Sequence, residues 1–256
     1  MRNLVLLIAG LLLTGCATLP SGKADPRDPW ERFNRSAFKF NESLDRAIAR
    51  PVAKAYVKVT PRVIRTGVSN AFSNLDTVPT IVNDVLQGKV GQAGRDSARF
   101  LLNSTLGLGG LFDPASAAGF ENNEEDLGQT LGKWGVKSGP YLMLPILGPS
   151  SARDAFARAA DTFIEPVSYL SDQSTRYIIR GVELLDQRAG LLELDAQLER
   201  SYDRYAFIRN AWIQRREYLV KDGNVEDESL ELEEEFKDDP ATAGAPDATP
   251  EKAPAQ

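Results

Sequence analysis

Three of the prolines in the front third, Pro29, Pro51 and Pro61, cut the chain into pieces that each carry an apolar stripe of helical period. That combination restricts the fold more than any other feature, because proline suits the first turn of a helix and interrupts its interior. Asp28-Pro29-Trp30-Glu31 reads as a helix start, with Asp28 as cap, Pro29 in the first turn and Glu31 as the capping carboxylate. At about 100° per residue, Trp30, Phe33, Ala37, Phe40, Leu44 and Ile48 fall on one stripe, opposite Arg32, Arg35, Lys39 and Arg46. Phe38 lies off that stripe and offers a second contact. The pattern restarts after Pro51 with Val52, Ala55, Tyr56 and Val59, and after Pro61 with Val63, Ile64, Val68, Ala71, Phe72 and Leu75. Helical stretches continue at Thr77–Leu86, Val90–Leu102, Ser151–Phe163, Ser174–Ala189 and Leu191–Leu219, with no sustained period-two alternation. The expected fold is all-α, a single domain of amphipathic helices with one irregular Gly/Pro-rich segment.

That segment, Asn103 to Pro149, contains "LGLGGLFDPASAAGF", an acidic "ENNEED" and the run Gly139–Pro149, "GPYLMLPILGP". The glycines lack the following Lys-Ser/Thr and the preceding strand of a phosphate loop, so they read as tight turns and close packing. Trp134-Gly135-Val136 is expected to form a short strand or hairpin with residues near Tyr141. For the apolar run itself neither regular element is expected, since Pro145 would remove a hydrogen bond from strand or helix. It is also far shorter than the roughly 18 apolar residues of a membrane span. Tyr141, Leu142, Met143, Leu144, Ile146 and Leu147 therefore need an apolar home that is not a simple bilayer crossing, a buried connection against helices being the plainest, with Tyr141 suited to an apolar-to-polar boundary.

The two ends carry an address and a tail. Met1-Arg2 followed by Leu4 to Leu13 has the charge and length of a secretory signal, assigned here to residues 1–15. Leu13-Thr14-Gly15-Cys16 resembles a lipobox, which makes Cys16 the lipid anchor of a linker over 16–27, carrying a diacylglycerol and an N-acyl chain as its only covalent additions. Cys16 is the sole cysteine, so no intramolecular disulfide can form. From Asp222 onward there are 12 Asp/Glu and 2 Lys/Arg, which leaves 24 acidic and 28 basic residues before it. The segment 223–256 is therefore read as a disordered acidic tail on a mildly basic body over 28–222.

The chain contains no histidine. Ser-His-Asp and Cys-His catalysis are excluded, and a zinc site of the usual ligands nearly so. No catalytic residue, resident cofactor, metal site or nucleic-acid partner is expected.

Several stretches together resemble the MlaA family, also called VacJ: the lipobox, "DPWERFNRSAFKFN" at 28–41, "RPVAKAYVKVTP" at 50–61, "NDVLQGK" at 83–89, "RFLLNSTLGLGGLFD" at 99–113 and "TLGKWGVKSGPYLMLPILGPSSARD" at 130–154. The resemblance implies a ring-like helical body in the inner leaflet of the outer membrane of a Gram-negative bacterium. It further implies an amphipathic channel for mislocalised phospholipid, association with trimeric porins and delivery to the periplasmic carrier MlaC. On this reading Trp30, Phe33, Phe38 and Phe40 join the 141–147 run as lipid-path or membrane contacts, against the plainer alternative of helix faces packed on the core. The competing function is a structural envelope adaptor that binds porins or cell wall and moves no lipid. A lipid or wall hydrolase, a third class, is disfavoured by the missing histidine.

Overall fold

A computed structural model describes residues 25–224. The signal at 1–15, the anchor Cys16 and the tail from 225 onward lie outside the described residues.

Helix α1 spans Glu31–Leu44 and runs through a π-helical turn, Asp45–Ala49, into α2, Arg50–Val59. Pro51 was expected to break the helix and does not. A proline has no N–H to return to the carbonyl four residues back, and the π turn just before it, with the Arg50 N–H donating to the Asp45 carbonyl, absorbs the mismatch. Pro61 does end α2, and α3, Arg62–Leu86, then joins the two expected pieces around Leu75 into one helix of 25 residues with Pro79 inside it. Gly88 turns the chain with φ +77° into α4, Val90–Thr105.

The glycine loop packs as closely as expected. A Cβ on Gly110 would lie 2.6 Å from that of Asn74, and one on Gly107 would lie 2.4 Å from two carbonyl oxygens. After α5, Pro114–Ala117, and α6, Leu127–Lys133, comes the strand β1, Tyr141–Leu144, paired antiparallel with β2, Gly148–Ser151. The run judged unfit for regular structure is therefore a hairpin. Pro145 falls in its turn, where no ladder hydrogen bond is required, and Pro149 lies in a strand that pairs, among the described residues, with β1 alone. The other expected hairpin is absent: Trp134 to Val136 caps α6, with the Val136 N–H donating to the Leu131 carbonyl.

Ser151 caps α7, Ala152–Asp161, its hydroxyl oxygen accepting from the Asp154 N–H. Helix α8, Gln173–Gly190, follows with Asp172 as cap. The stretch expected as one helix to Leu219 is split. A 3-10 turn at Leu191–Leu194 and α9, Asp195–Arg200, precede a break at Ser201, and Asp203 then caps α10, Arg204–Val220.

Contacts between elements close a circuit: α1 to β1, β2 to α10, α10 to α6, α6 to α3, α3 to α8, α8 to α2 and so back to α1. The seam is held by two side chains two helical turns apart. The Asn34 amide donates to the Tyr141 carbonyl (3.0 Å) and accepts from the Met143 N–H (2.8 Å), while Asn41 does the same for the Leu144 carbonyl (2.9 Å) and the Ile146 N–H (2.7 Å). Each side-chain amide mimics a peptide group, so α1 serves β1 as a substitute neighbouring strand.

Asp28 is not the expected cap. It is fully buried and accepts from Asn34 (2.7 Å), Arg209 (3.1 Å) and the Tyr205 hydroxyl. Above it the compact core comprises Ala37, Tyr141, Met143, Tyr205 and Ile213, flanked by Phe38, Ile208 and Trp212. Elsewhere the interior is polar: among the described residues nineteen buried side chains are polar or charged and eleven are apolar, six of those alanine.

One buried pair gives that interior a pH dependence. Asp84 and Asp96 share the Asn123 amide (3.3 and 3.1 Å), and one Asp84 oxygen has no partner. Burial, aided by Asp96, pushes the Asp84 carboxyl from its ordinary 3.8 up to about 7. Raising a carboxyl in the folded state favours the protonated form, so the contribution is full at pH 4 and is lost as pH climbs through 7. Asp84→Asn should therefore raise stability by at least about 1 kcal/mol at pH 8 and change it little at pH 4. Urea unfolding at the two pH values checks this, and equal effects at both would contradict it.

Candidate functional site

An apolar cavity of about 590 Å³ lies among the second half of α1 and the π turn after it, the hairpin, the Leu191–Arg200 segment and the first half of α10, with Arg50 of α2 and Arg188 of α8 at its edge. Phe38, Met143 and Ile208 line it where it meets the core, and Leu191, Leu194, Leu198 and Phe207 line the far side. Around it stand four arginines and four carboxylates. Arg188 bonds Asp45 (2.6 Å) and Asp195 (3.0 Å), Arg50 bonds Asp195 (2.9 Å) and Glu199 (2.6 Å), and Arg204 and Arg46 both meet Glu42. The Asp45 hydrogen bond raises the Arg188 pKa further, against the effect of burial. Opposite charges in equal number beside an apolar interior suit a ligand that combines hydrocarbon with a zwitterionic or singly charged head.

The structure divides the expected contact residues among three places. Phe38 and Met143 line the cavity, Phe38 meeting the Tyr205 ring edge-on at 5.8 Å. Tyr141 is buried in the core, edge-on to Trp212 at 5.7 Å. Leu142 and Leu144 are half-buried in the hairpin, and Ile146 and Leu147 are exposed at its tip. Ile146 holds φ +69°, a conformation unfavourable for a β-branched residue.

Trp30, Phe33 and Phe40 do not pack on the core. They are 48%, 47% and 52% exposed, and the face of α1 turned inward is the one bearing Asn34, Ala37 and Asn41. Their stripe continues along Ile48, Val52, Val59, Val63 and Ile64, with Val59 and Val63 more than three-quarters exposed. Such a run of bare aliphatic surface over a polar interior is the reverse of a water-soluble helical domain. Among the described residues no helix is long and apolar enough to cross a membrane.

The cavity's far side was missed by the sequence reading. Its signal was present: Leu191, Leu194 and Leu198 recur at helical spacing opposite Glu193, Arg200 and Gln197. A stripe so short is hidden when the segment is taken as part of a longer helix.

The profile of the MlaA lipoprotein family matches residues 26–219. The chain is 34% identical over 245 residues to the intermembrane phospholipid transport system lipoprotein MlaA of Escherichia coli, which covers 93% of this chain and 96% of that one. The Haemophilus influenzae protein of the same description is 31% identical over 242 residues, 92% of this chain and 95% of its own. An uncharacterized protein of Rickettsia prowazekii is 37% identical over 203 residues, 78% and 81% of the two chains. A solved structure described as the structural basis for maintenance of bacterial outer membrane lipid asymmetry aligns with a TM-score of 0.67 at 39% identity, covering 75% of this chain and 98% of that one.

Proposed function

This chain belongs to the MlaA lipoprotein family, and from that premise we propose that it carries phospholipid out of the outer leaflet of the outer membrane through the ion-rimmed apolar cavity. It is a phospholipid-transport lipoprotein that maintains lipid asymmetry, and not an enzyme. The observation that carries the path is the cavity itself, whose hydrocarbon walls meet paired charges. Taking a lipid of about 30 methylenes through water would cost on the order of 20 kcal/mol, so the route must shelter the tails while the headgroup exchanges one set of polar partners for another.

The exposed stripe from Trp30 to Ile64 and the hairpin tip at Ile146 and Leu147 are the surfaces we assign to the membrane. A helix lying in one leaflet needs one apolar face, not the length to span it. Cys16, acylated, would tether the body there, facing the periplasm. Trimeric porins as scaffold and the periplasmic carrier MlaC as recipient complete the proposed route.

A strain lacking the protein should accumulate phospholipid on the cell surface, and the chain expressed from a plasmid should restore asymmetry. A normal surface in the deletion strain would favour the adaptor reading. The membrane assignment has its own check: in a Cys16→Ser background, Trp30→Glu with Phe33→Glu should remove carbonate-resistant membrane association. Unchanged association would show that this stripe does not insert.

A further inference from the structure

Three of the walls around the main cavity are built into the buried interior. Helix α1 buries Asn34 and Ala37, the hairpin buries Tyr141 and Met143, and α10 buries Tyr205, Arg209 and Ile213. The fourth wall is different. The strap formed by the 3-10 turn Leu191–Leu194 and α9, Asp195–Arg200, has no buried residue, and Leu191 and Leu194 are 51% and 50% exposed although they line the cavity. Its main packing outside itself is on α8, which it continues, on α2 and on α10. A Cβ added at Gly190, where α8 ends, would meet nothing within 4 Å, and the extended Ser201 stops the helix at the other end. A segment with so few buried contacts can open alone, before the domain as a whole unfolds.

What fastens the strap is ionic. Asp195 bonds Arg50 (2.9 Å) and Arg188 (3.0 Å), and Glu199 bonds Arg50 (2.6 Å). Both arginines belong to the frame: Arg50 opens α2, and Arg188, held also by Asp45 at 2.6 Å, lies in the last turn of α8. On release each of these charges regains water, so the latch is cheap to undo compared with an apolar seam.

The size of the cavity calls for such a movement. If each methylene takes roughly the 30 Å³ share of a liquid water, the tails of a lipid with about 30 methylenes need on the order of 900 Å³. The closed cavity offers about 590 Å³. Taking up both tails therefore requires a wall to yield.

We infer that the Leu191–Arg200 strap is a lateral gate of this cavity, latched by Asp195 and Glu199 on Arg50 and Arg188, and that it swings away from α2 to admit acyl chains sideways. The inference rests on the reading of the cavity as the lipid path. The strap moves while α1, the hairpin and α10 stay in place, because those three share one core.

The test puts spin labels at Lys39→Cys on α1 and Ala196→Cys on the strap, exposed positions outside the cavity lining, in the full-length lipidated protein held in phosphatidylcholine nanodiscs. Acylated Cys16 offers no thiol to the label. Double electron-electron resonance should resolve a closed distance and a longer, open one. Asp195→Asn combined with Glu199→Gln keeps the side-chain shapes and removes both strap carboxylates, so the ratio of open to closed should rise at least about tenfold. Because no strap residue is buried, the melting temperature should stay level, which separates an opened gate from a loosened domain. A single distance, the same with and without the two substitutions, would make the strap a fixed wall and overturn the gate. Failure of the path reads differently: a cavity-filling side chain would leave transport intact while both distances remained.

Discussion

Asp28→Ala is expected to destabilise the protein by about 3 kcal/mol, the lower end of what removing one partner of a buried ion pair costs. Asp28 is fully buried at the point where the start of the described chain meets α10, and three donors converge on it from Asn34, Tyr205 and Arg209. Arg209 keeps a second carboxylate, Asp25 at 3.2 Å, so its charge is not wholly abandoned. Asn34 loses one of its partners, and the Tyr205 hydroxyl loses its acceptor. Asp28→Asn keeps the shape but gives up the charge, and should fall between wild type and alanine. Chemical unfolding of the three proteins measures the series. A loss below about 1 kcal/mol for alanine would show that water replaces the carboxylate, and that the seam is held by the aromatic contacts instead.

The largest functional effect is expected from filling the cavity proposed as the lipid path. Ala211 borders the main cavity on α10 and is solvent-exposed, so Ala211→Trp adds bulk at the mouth without deleting a packed side chain. Cells carrying only this variant should show surface phospholipid close to that of the deletion strain, while Ala211→Ser should behave as wild type. Equal protein levels and equal unfolding midpoints make the comparison interpretable. Full activity of the tryptophan variant would place the path elsewhere.

The helical class was legible in the sequence because period and proline placement are local properties. Element ends were harder. Pro51 signals a break, yet the helix continues by opening a π turn, and the two stretches expected on either side of Asp76 are one helix. The split at Ser201 was signalled by Asp203, which caps α10 by accepting from the Ala206 N–H. The hairpin was invisible for a different reason: its outer edge is satisfied by Asn34 and Asn41, more than 100 residues away, and no local pattern encodes that.

The site was legible only in part. The stripe at Trp30, Phe33 and Phe40 was found, but periodicity cannot tell a core face from one turned outward. Here the decisive residues were Asn34 and Asn41 on the flank of that stripe, polar groups that, with Ala37, claim the inward face. Phe38, off the stripe, proved to line the cavity. Leu191, Leu194 and Leu198 were read as ordinary helix because their ionic counterparts, Asp45, Arg50 and Arg188, come from distant elements.

The circuit of elements also sets an order of assembly. The seam brings Asp28 to Tyr205 and Arg209, 177 and 181 residues later in the chain. Its hairpin comes from between those two ends. A chain made from its N-terminus can form α1 to α4 early, but the circuit of contacts cannot close until α10 is present. The last helix made is thus the one that completes the wall of the proposed lipid path.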